Sequence, residues 1–216
     1  MAPVLDPHRD VSAPATVADL SALLGPMPLW RIRSVPPPGS AGEGDVLRIH
    51  ARNDRLCELI DGTLVEKTVG SEESELAIWI AVLLSNHIRP RKLGSVLGAD
   101  GMIRLDAGLV RIPDVCFISA NRLPGGRLPR KPILDIVPNL VVEVLSESNT
   151  AKEMRRKLRE YFKAGVELVW HVDPRSRTVA VYTAPDKRVV LKGSQALTGG
   201  RVVPGFKVTL KQLFAG

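Results

Sequence analysis

The sequence has few cysteines and no long apolar run, and each shortage excludes a class of protein. Cys57 and Cys116 are its two cysteines, and both lie in apolar, strand-like segments without CxxC spacing. We therefore expect buried, reduced thiols in a cytoplasmic protein and no disulfide framework. The longest apolar runs, 78–85 and 140–145, are much shorter than a bilayer span. The first ten residues lack the apolar core of a secretory signal, so we expect neither a membrane span nor export.

Several well-known catalytic motifs are also missing. The sequence has no GxSxG, Walker A or GxGxxG motif, which disfavours hydrolases of the α/β type, NTPases and dinucleotide-binding proteins. We accordingly expect no organic cofactor. Aromatic residues make up 4% of the chain, too few to indicate stacking on single-stranded bases. The four histidines are scattered without metal-ligand spacing.

The sequence does have the composition of a globular protein with a basic surplus. Hydrophobic residues make up 44% and charged residues 25% of the 216 residues, enough for one domain that folds without disulfides. The 30 Lys and Arg against 23 Asp and Glu leave a net charge of +7. This surplus permits a polyanionic partner such as nucleic acid, but an inert basic surface is equally compatible with it.

Two regions are predicted, an N-terminal arm over 1–55 and a compact domain over 56–216. In the arm, Thr16 can cap a short helix that reaches Leu24, and the segment 36–44 is rich in Pro and Gly and indicates a loop. In the domain, an Asp61-Gly62 hairpin is followed by alternating helical and strand patterns, which predict an α/β fold with a mixed sheet. The predicted elements are a helix over 72–88 capped by Ser71, strands over 95–105, 110–119, 139–145 and 168–172, a helix from 150 to just before Gly165, and a C-terminal β-hairpin with a closing strand and short helix.

Two carboxylates stand out because they interrupt apolar strands. Glu143 lies in VVEVL, and Asp114 lies in RIPDVCFIS directly after Pro113, which marks a break in the strand. A buried carboxylate costs several kcal/mol without a cation, a hydrogen-bond network or a metal ion. If the two strands are neighbours, both carboxylates can converge at one end of the sheet and suit a hard divalent cation such as Mg²⁺.

Lys157 lies at the edge of the apolar stripe of its helix, beside Met154 and Tyr161. Its ammonium could extend over the sheet and stabilise charge on a phosphoryl transition state. The alternative is a surface lysine whose apolar stem merely covers the sheet.

Other charged residues have two interpretations each. Glu66 and Glu75 are candidate accessory acids, although exposed glutamates at such positions often only aid solubility. The outer helix face can contact a phosphate backbone or simply be solvated. Its candidate residues are Lys152, Arg155, Arg156 and Arg159.

The motifs ELIDGTLVE, IPDVCFIS, LVVEVLSES, VWHVDP and VPGFKVTL, with Lys157 before Tyr161 and Gly165, together resemble the Uma-type restriction endonuclease family. That family is placed in the PD-(D/E)XK nuclease superfamily, and the resemblance covers about 56–214. It implies a restriction-endonuclease-like fold in which a mixed central sheet is flanked by helices. Asp114 then matches the PD aspartate and Glu143 the (D/E)XK acid.

The resemblance also implies roles for these residues and shows where the chain departs from the family. Leu145 stands where the superfamily lysine is usual, and Lys157 matches a lysine displaced onto the following helix. The first helix lacks the family's early histidine, and Glu153 replaces a common aspartate.

The main hypothesis is a Mg²⁺-dependent endodeoxyribonuclease (Mn²⁺ also serving) that acts on DNA as a homodimer. Asp114 and Glu143 would hold the metal, and Lys157 would stabilise charge. Arg122, Arg127, Arg130 and Lys131 would join the helix face in attracting the DNA backbone. A non-enzymatic nucleic-acid-binding or interaction protein with the same fold is the second hypothesis, and a small-molecule hydrolase is a third.

Overall fold

The computed structural model describes residues 13–52, 55–68 and 70–215. The first twelve residues of the predicted arm, including the segment that lacks a secretory signal, lie outside the described residues. The helices are α1 Val17–Leu24, α2 Glu43–Ala51, α3 Ser71–Ile88, α4 Ala151–Ala164 and α5 Leu210–Leu213. The strands are β1 Cys57–Ile60, β2 Thr63–Glu66, β3 Gly94–Leu97, β4 Met102–Asp106, β5 Leu109–Arg111, β6 Val115–Ser119, β7 Ile133–Leu134, β8 Leu140–Val144, β9 Leu168–Asp173, β10 Thr178–Ala184, β11 Lys187–Leu191, β12 Ala196–Gly199 and β13 Val203–Thr209.

A six-stranded mixed sheet forms the centre of the fold, in the order β11-β10-β9-β8-β6-β3. Strands β8 and β9 run parallel, and α4 lies between them in sequence, whereas the other neighbouring pairs are antiparallel. The predicted α/β fold with a mixed central sheet is therefore confirmed. Within the described residues, no helix is long and apolar enough to cross a membrane.

Helices cover both faces of this sheet, and the alternation of strand side chains decides which residues meet which helix. Helix α3 buries Ile80 and Leu84 against one face, where Val142 and Trp170 lie. Helix α4 buries Leu158 and Tyr161 against the other face, together with Cys116, Val141 and Val169. Glu143 alternates with Val142 and so belongs to the α4 face.

The second sheet has the strand order β2-β1-β5-β4-β7. Two of its strands, β4 and β5, are parts of longer segments that the sequence predicts as continuous strands. The predicted strand over 95–105 is divided into β3 and β4, and the one over 110–119 into β5 and β6. In each case the first and second pieces belong to different sheets. Pro113 lies at the second break, as predicted, because its ring nitrogen cannot donate to a strand ladder.

The hairpin and cap predictions differ in accuracy. Asp61 and Gly62 both adopt positive φ, 45° and 74°, as a two-residue turn between β1 and β2 requires. Thr16 caps α1 through a capping box, and Gly165 ends α4 in the left-handed conformation. The predicted Ser71 cap is wrong by one residue, because Gly70 occupies the N-cap position of α3.

The described part of the region predicted as an arm contains an α-helix, α2, that was not predicted. Helix α2 buries Val46 and Ile49 against Cys57, Leu59 and Met102 of the second sheet. Cys57 and Cys116 are both buried thiols, as expected. The division at residue 55 stays a prediction.

A buried ion pair ties the N-terminal segment to α4. The Arg31 guanidinium donates to both carboxylate oxygens of Glu153, at 2.9 and 3.1 Å, and its Nε donates to the Glu66 carbonyl at 3.0 Å. Both side chains of the pair are nearly inaccessible to solvent. Removal of one partner would therefore leave a charge buried without compensation.

We predict that Arg31→Met lowers the free energy of unfolding by about 3–5 kcal/mol. Arg31→Met/Glu153→Met removes both charges and should be clearly more stable than Arg31→Met alone. Urea unfolding followed by circular dichroism measures both variants. Equal stability of Arg31→Met and the wild type would contradict the inferred role of this pair.

Candidate active site

Asp114 directly precedes β6 and Glu143 lies in β8, so both are at the same end of two neighbouring strands of the central sheet. Val115 of β6 pairs with Val142 of β8, so the next residue in each direction brings Asp114 opposite Glu143. Asp114 is fixed through both oxygens. Its Oδ2 accepts the Val144 backbone N–H at 2.7 Å, and its Oδ1 lies 2.9 Å from the Lys67 ammonium.

Glu143 is buried and held by two side chains of α4. Lys157 Nζ lies 3.2 and 3.3 Å from its two carboxylate oxygens, and the Tyr161 hydroxyl donates to Oε1. Burial raises the pKa of Glu143; the Lys157 charge opposes this, and the carboxylates of Asp114 and Glu58 add to it. Burial likewise raises the pKa of Tyr161, so its phenol stays neutral and remains a donor.

Lys157 is not the surface lysine of the alternative interpretation. Its side chain is 5% exposed, and its ammonium lies between Glu143 and Glu58, 3.3 Å from the latter. Burial lowers the pKa of Lys157, but the charges of Glu143 and Glu58 outweigh burial and hold that pKa well above its usual range. The ammonium is therefore charged, buried and close to a candidate metal ligand.

Glu58 of β1 is a further carboxylate beside Lys157, buried like Glu143, that the sequence analysis missed. It accepts hydrogen bonds from Arg111 Nη1 at 2.7 Å and from the Ile112 N–H at 3.1 Å. Burial raises the pKa of Glu58, but the charges of Lys157 and Arg111 lower it to a net value well below its usual range. The signal was present, because Glu58 interrupts the apolar run CELI just as Glu143 interrupts VVEVL.

These contacts join six ionisable side chains into one cluster, which we call the charge cluster. Its members are Glu58, Lys67, Arg111, Asp114, Glu143 and Lys157. Three carboxylates face three cations, so each buried charge has at least one partner of opposite sign. The free-energy cost of burying these groups is offset only because each acidic side chain contacts a basic one.

The oxygen donors of the cluster fit a hard divalent cation. Asp114 and Glu143 interact electrostatically, and carboxylate oxygens are the ligands that Mg²⁺ and Mn²⁺ prefer, with water in the remaining positions. No group of three or more His, Cys, Asp or Glu that could hold a metal occurs among the residues that the structure describes. The protein would thus supply only a few ligands, as is usual for Mg²⁺.

Asp114 connects the charge cluster to an open groove of about 900 Å³. Its lining includes Glu73 and Ile78 of helix α3, Arg89 directly after that helix, and Lys131 of the loop before β7. The groove gives a large substrate access to Asp114. Glu73 and Arg89 are groove residues that the sequence analysis did not select for a substrate role.

Within the described part of the chain, no contact places the candidate accessory acids beside Asp114 and Glu143. Glu66 pairs with Arg33 at 3.0 Å and with Arg55 at 2.9 Å. Glu75 lines a separate, smaller pocket of about 290 Å³, beside Trp79. A role for either in the reaction stays a prediction.

The candidate DNA-binding residues fall into two groups. Lys152, Arg155 and Arg159 are exposed on α4, as are Arg127, Arg130 and Lys131 in the loop before β7. Two others are engaged within the protein. Arg156 contacts Asp61, Glu160 and the Leu23 carbonyl, and Arg122 contacts Glu167 and three backbone carbonyls.

His171 lies beside Glu143 in the parallel β8–β9 ladder and contacts the Tyr182 ring. Its Nε2 is buried and has no hydrogen-bond partner among the residues that the structure describes. Burial, aided by the Lys157 charge, lowers the pKa of His171 to about 4. The imidazole is therefore neutral in the folded protein at pH values where the unfolded chain already binds a proton.

We predict that this histidine makes folding less favourable in mild acid. The unfolded state binds the extra proton between its pKa of 6.5 and the folded value of about 4, so stability falls as pH falls through this window. The loss attributable to His171 approaches about 3 kcal/mol at the lower end. His171→Phe should lose less stability than the wild type between pH 7.5 and 4.

Thermal or urea unfolding across that pH range measures the difference. His50→Gln is the matched control, because His50 is exposed and should follow the wild-type curve. Parallel curves for His171→Phe and the wild type would contradict the inferred neutral state of the buried imidazole.

The mixed sheet with flanking helices and the paired carboxylates at one end of it define a restriction-endonuclease-like α/β protein. Residues 44–211 match the family model described as "Uma2: Putative restriction endonuclease". The chain belongs to this family. The match begins before the predicted domain boundary at residue 56 and includes helix α2 almost completely.

A solved structure has a similar fold. It is described as a "putative nuclease belonging to DUF820 from Anabaena variabilis ATCC 29413", and it is 17% identical to this chain. The TM-score is 0.66, and the match covers 74% of this chain and 90% of the other. No curated protein matches the chain. At this identity the likeness concerns the fold alone.

Proposed function

We propose that the protein is a Mg²⁺-dependent endodeoxyribonuclease that hydrolyses phosphodiester bonds in DNA. The observation that carries the proposal is the charge cluster, in which Asp114, Glu143 and Lys157 meet where Asp114 lines the groove. Membership of a restriction endonuclease family is consistent with this chemistry. Mn²⁺ has the same oxygen-ligand preference and should replace Mg²⁺.

Each side chain of the site has a distinct part in this proposal. Asp114 and Glu143 would hold the metal ion, which lowers the pKa of a bound water and neutralises phosphate charge. The Val144 N–H and the Tyr161 hydroxyl orient the two carboxylates. Lys157 supplies a buried positive charge that would stabilise the anionic transition state without needing to reorganise.

Loss of the Asp114 carboxylate, the Glu143 carboxylate or the Lys157 ammonium should abolish plasmid nicking. We predict that Asp114→Asn, Glu143→Gln and Lys157→Met each lower the nicking rate of supercoiled plasmid by about 100-fold or more. Lys163→Met, a change at an exposed lysine of the same helix, is the matched control and should retain the wild-type rate. Activity should require Mg²⁺ or Mn²⁺ and disappear with a chelator.

Two outcomes would contradict the assignment. Nicking that survives all three substitutions would indicate another site or a contaminant. If the folded wild type retards DNA on a gel but never nicks it with either metal, the non-enzymatic DNA-binding alternative replaces the proposal.

The residues that line the groove indicate which Lys and Arg side chains would contact DNA. Arg89 and Lys131 line the same groove as Asp114, whereas the exposed cations Lys152, Arg155 and Arg159 lie on α4 and do not contribute to its described lining. We therefore assign the phosphate backbone first to Arg89 and Lys131. The α4 face and Arg127 and Arg130 would extend this contact along the duplex.

Salt-dependent binding distinguishes the two surfaces. Arg89→Ala/Lys131→Ala should weaken DNA binding and reduce the slope of log K against log salt by about 1 for each lost phosphate contact. Lys152→Ala/Arg155→Ala/Arg159→Ala should have the smaller effect. The reverse ranking in fluorescence-anisotropy titrations would assign the primary contact to α4.

Cleavage of both strands of a duplex needs two active sites, so we also propose a homodimer. Sedimentation velocity in the presence and absence of a short duplex tests this directly. A monomer at all concentrations that nevertheless makes double-strand breaks in single binding events would contradict it.

A further inference from the structure

Lys67 lies between two oxygen atoms at the edge of the candidate metal site. It follows β2 directly, and its ammonium lies 2.9 Å from Asp114 Oδ1 and 2.7 Å from the Ile112 carbonyl oxygen. Its side chain is only 6% exposed. The ammonium therefore occupies a defined, nearly dry position, unlike a lysine at a solvated surface.

This contact leaves Asp114 without an unused oxygen. Oδ2 already accepts the Val144 N–H, so Lys67 takes the other oxygen of the carboxylate. Each Asp114 oxygen thus already has a partner, and a divalent cation that binds through Oδ1 must share that oxygen with the ammonium or displace the ammonium. Lys67 also donates to the Ile112 carbonyl oxygen. This oxygen is itself a hard ligand of the kind that Mg²⁺ and Mn²⁺ bind.

The position of Lys67 also distinguishes it from Lys157. Lys157 pairs with Glu143 and Glu58, deep in the cluster, whereas Lys67 pairs with the one carboxylate of the cluster that lines the groove. The Lys67 charge nevertheless acts on both Glu58 and Glu143. Its field therefore extends over all three carboxylates.

We propose that Lys67 is a tethered cation that competes with the divalent metal ion for Asp114 and so sets the metal affinity of the site. This inference rests on the proposed function, because it assumes a metal at Asp114 and Glu143. While no metal is bound, the ammonium balances the charge of Asp114. A metal ion held by Asp114 and Glu143 would compete with the ammonium for Oδ1, and a displaced Lys67 would supply a cation beside the groove that Asp114 lines.

A neutral residue at this position should strengthen metal binding. Lys67→Met keeps most of the length of the side chain but removes its charge, so the repulsion between the ammonium and a doubly charged ion is lost. We expect the Kd for Mn²⁺, measured by electron paramagnetic resonance of free and bound Mn²⁺, to fall about tenfold or more. A merely structural lysine would give the opposite result, because disorder of Asp114 weakens binding.

Controls separate this effect from a general change in charge. Lys163→Met removes an exposed lysine and should leave the Kd unchanged, and Lys67→Met/Asp114→Asn should lose the gain in affinity. Lys67→Gln is a second neutral variant, for use if Lys67→Met fails to fold. Its amide can still donate a hydrogen bond to Asp114. It too should bind Mn²⁺ more tightly than the wild type.

The outcomes distinguish failure of this inference from failure of the proposed function. If the wild type and both neutral variants bind Mn²⁺ equally, and Asp114→Asn abolishes binding, the inference is wrong and the metal site stands. Binding by the variants but not by the wild type supports the inference and contradicts a metal-dependent activity of the native chain. No Mn²⁺ binding by any folded protein overturns both.

Discussion

The placement of three carboxylates, two buried and one partly buried, at the junction of two sheets and helix α4 is the constraint on which the rest of the structure depends. Glu58 comes from the second sheet, and Asp114 and Glu143 come from adjacent strands of the central sheet. Isolated, each would cost several kcal/mol to bury. The fold must therefore bring Lys67, Arg111 and Lys157 to the same place, and the charges hold the layers in register.

The change of sheet at Pro113 makes this convergence possible. Arg111 ends β5 in the second sheet, and Asp114 precedes β6 in the central sheet, so a short segment places a cation and a carboxylate on either side of the junction. The Ile112 N–H and carbonyl, released from regular strand pairing at this break, bind Glu58 and Lys67. A local interruption of the ladder thus supplies part of the site.

Much of the fold and of the candidate site could be predicted from the sequence, for identifiable reasons. Asp114, Glu143 and Lys157 are conspicuous because each interrupts or borders an apolar pattern, and the same argument would have found Glu58. Lys67 gives no local signal, since it follows a strand end and its partner comes from a distant strand. Helix α2 was missed because its glycine and its charged residues obscure a short apolar face. The strands could not be assigned to their sheets, because periodicity indicates a strand without showing which strands pair with it.

The central claim is that Asp114 and Glu143 bind a divalent metal ion together, with Lys157 beside them. Anomalous diffraction from a crystal soaked in Mn²⁺ tests this most directly. We expect one strong peak within coordinating distance of both carboxylates, with the Lys67 ammonium moved away from Asp114 Oδ1. A map at saturating Mn²⁺ with no peak there, and with the Lys67–Asp114 contact intact, would contradict it.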